Sequence, residues 1–167
     1  MKKYVLAIVL MLVGCGVFAH TLSNLAPGYQ VLRLNSNEHA STVDFMLLMK
    51  TVADSWNEGN ARKAADCFAE EAVYMEPPDR QLYIGRRAVY DFFGGANKPN
   101  PPMRMKWHHL AFNEQEQVGY GEYTFQMTGR YHGVVTVLVQ NGKIAKWREY
   151  QYKSDSDWDA FTGRSKF

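Results

Sequence analysis

Cysteine is scarce in this sequence, and its scarcity excludes a fold held together by disulfide bonds. Only Cys15 and Cys67 occur among the 167 residues, and Cys15 lies in the apolar N-terminal segment. A single cysteine remains for the body of the protein, so no intramolecular disulfide is expected there. Cys67 lies at helical spacing from Ala64, a pattern that favours a buried structural thiol.

The sequence also lacks an excess of either charge. It contains 19 basic and 17 acidic side chains. Lys2 and Lys3 precede the first apolar run, and without them both counts are 17. Nucleic-acid binding requires a clustered basic surface, and the sequence contains no basic stripe, so we expect no nucleic-acid partner.

Long hydrophobic runs are missing too. Residues 4–13 are almost wholly apolar, but they supply about half of the roughly 20 residues that a membrane-spanning helix requires. Two lysines before this run and small residues after it predict an export signal over residues 1–19.

Two ways of processing the export signal stay open. Leu12-Val13-Gly14-Cys15 resembles a bacterial lipobox, in which Cys15 becomes the lipidated N-terminus. Alternatively, Val17-Phe18-Ala19 fits the small-x-small rule for cleavage by a signal peptidase. Both predict an exported protein, either a lipoprotein of the bacterial cell envelope or a periplasmic or secreted protein. Membrane contact is expected only through the signal or the lipid anchor.

Metal-ligand spacing is absent as well. His108 and His109 are adjacent, so strand alternation turns them to opposite faces and they cannot chelate one metal together. The remaining histidines show no ligand spacing. We expect neither a metal nor another cofactor.

The helical signals that are present lie in the first half of the chain. Residues 20–40 have no clear periodicity and are interpreted as a tether, so the domain is expected over residues 41–167. Ser41 predicts a helix N-cap. The helix that follows has one apolar face, formed by Phe45, Leu48, Met49, Val52 and Trp56. Two more helices are predicted over about 61–69 and 86–93.

From residue 103 onward the pattern is that of strands. Asn141-Gly142 separates two strand-like runs and favours a type I′ hairpin turn. On the first long strand, alternation predicts one face made of Met103, Met105, Trp107, His109 and Ala111. Three helices followed by four long strands predict an α+β fold. After the last strand, a short helix is predicted in which Trp158 and Phe161 lie one turn apart.

Four segments in the same order resemble the nuclear transport factor 2-like superfamily, particularly its SnoaL-like branch. Ser55-Trp56-Asn57-Glu58-Gly59-Asn60 and Cys67-Phe68-Ala69-Glu70-Glu71-Ala72 resemble the opening of that family. Ile84-Gly85-Arg86-Arg87-Ala88 resembles one of its helix starts, and Asn141-Gly142-Lys143-Ile144 with Trp147-Arg148-Glu149-Tyr150 resembles its ending. The match covers about residues 42–155 and is more specific for fold than for function.

The resemblance implies a cone-shaped α+β domain, in which a strongly curved mixed sheet wraps around about three N-terminal helices and encloses a pocket. Family members include polyketide cyclases, steroid isomerases, epoxide hydrolases and proteins that only bind ligands. The positions that carry the isomerases' catalytic residues hold Val52, Glu76 and Val135 here, so steroid-type isomerisation is not expected. The position nearest to the cyclases' acid/base residue holds Glu149.

Glu149 is the first candidate for catalysis. Alternation places Glu149, Trp147 and Gln151 on one face of the last strand, the face that lines the cone in the family. A carboxyl group buried there has its pKa raised by desolvation, which suits a general acid or base. The alternative is that Glu149 pairs with an arginine such as Arg130 and only stabilises the sheet.

Two further residues are candidates for the same site. The family position of Glu76 favours the pocket wall, although this residue could instead cap a turn in solvent. His109 could reach the cavity as a proton shuttle, or could be a satisfied core histidine. A hydrophobic small molecule is the expected ligand, and the residues predicted to bind it are Trp56, Phe93, Trp107, Tyr123, Phe125, Val135 and Trp147.

The outer face of the last hairpin is also apolar. Val134, Leu138, Ile144, Tyr150 and Tyr152 are expected there, so the sheet needs a cover on each side. The helices supply one cover. A second subunit, as in a homodimer, or the tail over 154–163 supplies the other.

The sequence leaves two functions open. One is a cofactor-independent enzyme of the cyclase, isomerase or hydrolase type acting on a carbonyl-containing or apolar compound. The other is a ligand-binding or interaction module of the cell envelope without catalysis. Carboxylates converging on one cavity would favour the first, and carboxylates paired with arginines would favour the second.

Overall fold

The structure is a computed structural model, and it describes residues 39–78, 80–97 and 102–166. The predicted export signal with Cys15 and nearly all of the predicted tether lie outside the described residues.

Helix α1 (Thr42–Glu58) is formed as its sequence predicts. Ser41 and Asp44 make a reciprocal capping box at its start, and Gly59 ends it with a left-handed φ of 67°. Its apolar face is buried in the core through Phe45, Met49, Val52 and Trp56. The later helices are short: α2 (Ala61–Ala65), α3 (Arg86–Phe92) and α4 (Trp158–Thr162).

Six strands form a single curved, open sheet. They are β1 (Phe68–Glu76), β2 (Gln81–Ile84), β3 (Arg104–Asn113), β4 (Val118–Gln126), β5 (Arg130–Gln140) and β6 (Lys143–Lys153). Their order is β2-β1-β6-β5-β4-β3, and β1 pairs with β6 in parallel while the other neighbours are antiparallel. A mixed sheet combined with N-terminal helices confirms the predicted α+β fold class.

The second helix is shorter than predicted. Phe68 and Ala69, which the prediction placed in the helix, are the first residues of β1. The Phe68 side chain is fully buried, and it contacts the rings of Phe93 and Trp147. The alanine-rich run is therefore helical only up to Ala65, and packing of Phe68 between the sheet and α3 favours the strand.

A β-bulge makes the predicted face of β3 wrong in its second half. The pairing of β3 with β4 shifts register between Trp107 and His109. After this shift Leu110 and Phe112 pack against the core, whereas His109 and Ala111 are exposed. One extra residue thus turns the second half of the strand over.

A similar irregularity corrects the predicted position of Ile144. The pairing of β5 with β6 shifts between Leu138 and Val139, and Ile144 is fully buried in the core. Ile144 therefore does not belong to the outer face. Val134, Tyr150 and Tyr152 do lie there, exposed by 41%, 49% and 67%.

Helix α4 covers part of the outer face, as one of the two predicted alternatives requires. The Trp158 ring stacks on His108 with centroids 3.9 Å apart, and the Phe161 ring stacks on His132 at 4.4 Å. Beneath them His132 is only 1% exposed. The remainder of the outer face, around Tyr150, is left uncovered by this helix.

Candidate active site

Glu149 is buried on the inner face of β6 and is held by three neutral donors. Only 4% of the residue is exposed to solvent. The Tyr74 hydroxyl donates to Oε1 over 2.8 Å, and the Tyr123 hydroxyl and Trp147 Nε1 both donate to Oε2 over 3.0 Å. Oε1 thus accepts one hydrogen bond and Oε2 two, so Oε1 retains the larger capacity to accept or carry a proton.

The sheet brings these donors together from three strands. Trp147 lies two residues before Glu149 on β6, so both side chains point inward. Tyr74 on β1 is the register partner of Trp147, and their rings stack with centroids 5.4 Å apart. Tyr123 comes from β4 and has to reach across β5.

Gly133 makes the reach of Tyr123 possible. It is the β5 residue opposite Tyr123 in the register. A Cβ atom at Gly133 would lie 2.8 Å from both Cζ and Oη of Tyr123, closer than real Cβ contacts. The absence of a side chain therefore lets the phenol lie over β5 and reach Glu149.

Burial sets the ionisation of this cluster. Desolvation raises the pKa of Glu149 above its ordinary value of 4.5, the hydrogen bonds from Trp147, Tyr74 and Tyr123 oppose that shift, and nearby Glu76 adds to it. Burial first, and then the charge of Glu149, raises the pKa of Tyr74 and of Tyr123. The raised pKa values favour the protonated form of both phenols, in which they donate hydrogen bonds to Glu149.

Glu76 forms a second buried carboxylate on the same face. Glu76 is 4% exposed. In the parallel pairing of β1 with β6, Met75 lies opposite Arg148, so the next residues along the two strands, Glu76 and Glu149, are neighbours. Oε2 of Glu76 accepts from Gln151 Nε2 at 3.1 Å and from Gln81 Nε2 at 3.3 Å. Oε1 accepts from Arg80 Nη1 at 3.2 Å, although the Arg80 side chain is 69% exposed. Because the Arg80 side chain is solvent-exposed, this ion pair contributes little to stability.

The structure gathers the predicted ligand-binding residues into the core around these carboxylates. Val135 is the cross-strand partner of Glu149. The Trp147 ring contacts Trp56 and Trp107, with centroids about 6 Å apart. All seven belong to the core cluster or pack against it: Trp56, Phe93, Trp107, Tyr123, Phe125, Val135 and Trp147.

His109 does not belong to this site. The bulge in β3 places it on the outer face, where Nδ1 lies 2.6 Å from Glu122 Oε2. The proton-shuttle hypothesis for His109 beside Glu149 is therefore wrong on geometry. The arginine alternative for Glu149 is wrong as well, because its described partners are Tyr74, Tyr123 and Trp147, and Arg130 Nη1 donates instead to the Asp155 carbonyl oxygen.

Sequence reasoning missed three partners of the carboxylates. Neither Tyr74 nor Gln81 is among the predicted site residues. Gln151 was placed on the correct face without a role, yet it donates to Glu76. Alternation along β6 could have identified Gln151, whereas the contacts of Tyr74 depend on the parallel pairing of β1 with β6, which leaves no local signal.

Val52 and Val135 lie at the positions where the isomerases of the resembled family carry catalytic residues. Both valines are fully buried and apolar. Their side chains offer no hydrogen-bond donor to a developing oxyanion.

Within the described ranges, no group of three or more histidine, cysteine, aspartate or glutamate residues is arranged to hold a metal ion. The same part of the chain has no helix that is long and apolar enough to cross a membrane. Cys67 is buried, and burial raises the pKa of its thiol to about 11, which disfavours the nucleophilic thiolate.

Comparison with family models gives one match, to the SnoaL-like domain, over residues 50–147. The chain belongs to the SnoaL-like domain family. The matched segment runs from the middle of α1 to Trp147 and contains β1 to β5, so it includes Tyr74, Tyr123 and Glu76. No curated protein matches the chain.

Solved structures confirm the fold of this SnoaL-like domain. A protein of unknown function with a cystatin-like fold from Methylobium petroleophilum PM1 is 18% identical, with a TM-score of 0.62 over 72% of this chain and 83% of that one. A putative ketosteroid isomerase from Kribbella flavida DSM 17836 is 16% identical, with a TM-score of 0.57 over 70% and 83%. The epoxide hydrolase/cyclase-like enzyme SalBIII, with a role in pyran ring formation in the polyether salinomycin, is 19% identical, with a TM-score of 0.55 over 64% and 89%.

Proposed function

We propose that this SnoaL-like domain is a cofactor-independent enzyme that moves a proton on a carbonyl-containing or apolar small molecule. The observation that supports it is Glu149, a buried carboxyl group held by three neutral donors, with no arginine or lysine among the partners described. A carboxylate held only by neutral donors can change its charge without breaking an ion pair. Its raised pKa brings it closer to the range in which it can act as acid or base near neutral pH.

Each neighbour has a defined part in this proposal. Glu149 takes or gives the proton at Oε1, and Tyr123 and Trp147 fix the orientation of the carboxyl through Oε2. Glu76 raises the pKa of Glu149 through its negative charge. The aromatic side chains around Trp147 supply apolar contacts for the substrate and exclude water. The isomerase and the hydrolase/cyclase-like neighbours support this general kind of chemistry.

A second candidate is a binding module that returns its ligand unchanged. The specific observation in its favour is Glu76, whose two oxygens are engaged by Arg80, Gln81 and Gln151. A carboxylate that is already satisfied in this way stabilises the wall of a site and does not need to react.

The test is a thermal-shift and turnover screen of apolar ketones, lactones and epoxides on the wild type and on Glu149→Gln. The amide can place its oxygen toward Tyr123 and Trp147 and its nitrogen toward the Tyr74 hydroxyl, so the variant is expected to fold. A ligand at a hundred times its dissociation constant adds about 2.7 kcal/mol to the stability of the folded state. The matched control is Glu122→Gln, which changes a carboxylate on the opposite face of the sheet.

Turnover in the wild type and in Glu122→Gln that is lost by at least about a hundredfold in Glu149→Gln supports the enzyme. A ligand that stabilises all three proteins and is recovered unchanged from each supports the binding module. Turnover that persists in Glu149→Gln contradicts the role of Glu149.

We further propose that the protein is exported, on the support of residues 1–19 alone. The lipobox-like Leu12-Val13-Gly14-Cys15 favours lipidation of Cys15. Mass spectrometry of the mature N-terminus separates the two processing routes. A diacylated Cys15 supports the lipoprotein, an N-terminal His20 supports ordinary cleavage, and an intact Met1 on the cytoplasmic protein contradicts export.

We also propose a homodimer through the part of the outer face that α4 leaves uncovered. Val134, Tyr150 and Tyr152 form an exposed apolar patch across β5 and β6. Such a patch on both copies of a two-fold pair is self-complementary. Sedimentation of the wild type as a dimer and of Tyr150→Lys as a folded monomer supports the proposal, whereas a monomeric wild type contradicts it.

A further inference from the structure

A cleft of about 550 Å³ lies on the outer face of the sheet, on the side opposite to Glu149. Its floor is formed by outward-facing residues of β3 and β4, including Lys106 and Thr124, which are register partners. Trp158 of α4 forms one wall. The cleft is separated by the sheet from the two buried carboxylates, so it is a different site from the one described above.

Three basic side chains line this cleft: Arg104, Lys106 and Arg130. Arg104 Nη1 donates to the carbonyl oxygen of Asn57 over 2.7 Å, and Arg130 Nη1 donates to that of Asp155 over 3.0 Å. Carbonyl oxygens orient a guanidinium without neutralising its charge. Each arginine is therefore held in position at the cleft with further N–H donors to offer.

Two carboxylates line the cleft beside the three cations and offset part of their charge. Asp157 and Asp159 also line the cleft, but both are engaged within the tail. Asp157 Oδ1 caps α4 by accepting from the Ala160 amide, and Asp159 Oδ1 pairs with Lys166 over 2.6 Å. Lys106 has no ion pair with either acid among the described contacts. The cleft thus keeps an excess of positive charge.

We propose that this outer cleft binds a small molecule through an oxyanion group, a carboxylate or a phosphate. Arg104, Lys106 and Arg130 all line this one open cleft, and arginine forks are suited to bidentate contacts with such groups. The half-buried Trp158 ring beside them provides an apolar wall for the remainder of the ligand. Nothing in the chemistry of Glu149 requires this site, so the inference is independent of the proposed function.

The experiment follows backbone and indole amide signals by NMR while inorganic phosphate and, separately, benzoate are added to the domain. We expect saturable shifts that are confined to the cleft, at Lys106, Thr124 and the indole of Trp158. Benzoate binding more tightly than phosphate identifies an organic carboxylate as the ligand class, and the reverse order identifies a phosphate ester. Shifts that grow linearly without saturation for both anions overturn the proposal.

Variants of the cleft complete the test. Lys106→Gln removes one charge without removing any hydrogen bond described for the chain, so the variant is expected to fold. We expect it to weaken binding several-fold, and Arg130→Gln to weaken it about tenfold, since hydrogen bonds to charged groups are the stronger ones. Arg148→Gln is the matched control, because Arg148 is exposed on the outer face of β6 and does not line the cleft.

Equal weakening by Arg148→Gln and Lys106→Gln would mean that the anion responds only to net charge, and this overturns a defined site. Glu149→Gln should leave the anion affinity unchanged. Failure of the inner-face enzyme and failure of this cleft are therefore distinguishable.

Discussion

The raised pKa of Glu149 couples the stability of the fold to pH. Below its ordinary value of 4.5 the carboxyl is protonated in the folded and unfolded chains alike, and its burial costs no charge desolvation. As the pH rises above 4.5, the unfolded chain loses this proton first, because the pKa in the folded protein is higher. The contribution of Glu149 to stability is therefore lost as the pH rises through the folded pKa.

Replacing Glu149 by glutamine should remove this dependence. We expect the free energy of unfolding of the wild type to fall relative to that of Glu149→Gln as the pH is raised from 4.5 to 8, measured by urea denaturation at a series of pH values. A difference between the two proteins that stays constant over this range would contradict the raised pKa.

The hydrogen bond from the Tyr123 hydroxyl lowers the pKa of Glu149, against the effect of burial. Removing this hydroxyl should therefore change both the stability of the fold and the pKa of Glu149. In Tyr123→Phe we expect the unfolding free energy at pH 7 to fall by about 1–3 kcal/mol, the usual effect of leaving a buried polar partner unsatisfied. The pKa of Glu149 should rise further. Tyr120→Phe on the same strand is the control, because Tyr120 is 49% exposed, and an equal loss in both variants would contradict the hydrogen bond's importance.

At the scale of strands, Gly133 links the backbone of β5 to the site. Gly133→Ala should force Tyr123 away from Glu149, because the new Cβ would meet the end of the phenol and also the Tyr150 carbonyl oxygen at 2.7 Å. Overpacking of this kind costs about 1–3 kcal/mol, and we expect a corresponding loss in the unfolding free energy together with a loss of turnover.

The control for Gly133→Ala is Gly129→Ala. There the nearest atom to a new Cβ is Cε of Lys153 at 3.1 Å, the far end of a flexible side chain that can move aside. Gly129→Ala should leave both stability and turnover nearly unchanged. If the two alanine variants behave alike, Gly133 does not have the role assigned to it.

A chain of hydrogen bonds through His132, Thr124 and His108 connects the sheet to the segment that precedes α4. His132 Nε2 lies 2.9 Å from the Ser156 carbonyl oxygen and must donate to it. Its Nδ1 then accepts from the Thr124 hydroxyl at 2.9 Å, and that hydroxyl in turn accepts from His108 Nε2 at 2.8 Å. In this arrangement both rings carry a proton on Nε2, and the Thr124 hydroxyl links them.

Acid should therefore loosen α4. Burial first, and then the charge of Lys106, lowers the pKa of His108 from 6.5 to about 4, so the folded state disfavours its protonated form. Stability contributed by neutral His108 is present above pH 6.5 and is lost as the pH falls toward 4. We expect the fluorescence of Trp158 to change as α4 is released over this pH window in the wild type, and not to change in His108→Gln. The other tryptophans, Trp56, Trp107 and Trp147, lie in or against the core and should contribute a constant signal. Release at the same pH in both proteins would contradict this role of His108.

Strand patterns predicted some of the site and missed the rest for a physical reason. Alternation along β6 placed Trp147, Glu149 and Gln151 on the inner face without any knowledge of neighbouring strands. The same rule failed on β3 at His109, because it was carried unchanged past a bulge after which Leu110 and Phe112 point inward.

At the scale of the whole molecule, the α+β class and the family were predictable, whereas the sheet order was not. The N-cap and the apolar face of α1 and the Asn141-Gly142 turn are local features, and the structure confirms each of them. The contact between Tyr74 and Glu149 joins residues 75 positions apart in the sequence through the parallel pair β1–β6. Long-range pairing of this kind follows from the packing of the whole sheet, and it determines which tyrosine reaches the carboxylate.

The pKa of Glu149 is the quantity on which the proposed enzyme most directly depends. It can be measured by NMR from the side-chain carboxyl ¹³C signals of glutamate during a pH titration, with Glu149→Gln used to assign the signal. We predict a midpoint above 4.5, with little change in the neighbouring backbone signals through the transition. A midpoint at or below 4.5 would show that the three hydrogen bonds outweigh burial, and Glu149 would then be a permanently ionised structural carboxylate instead of an acid–base group.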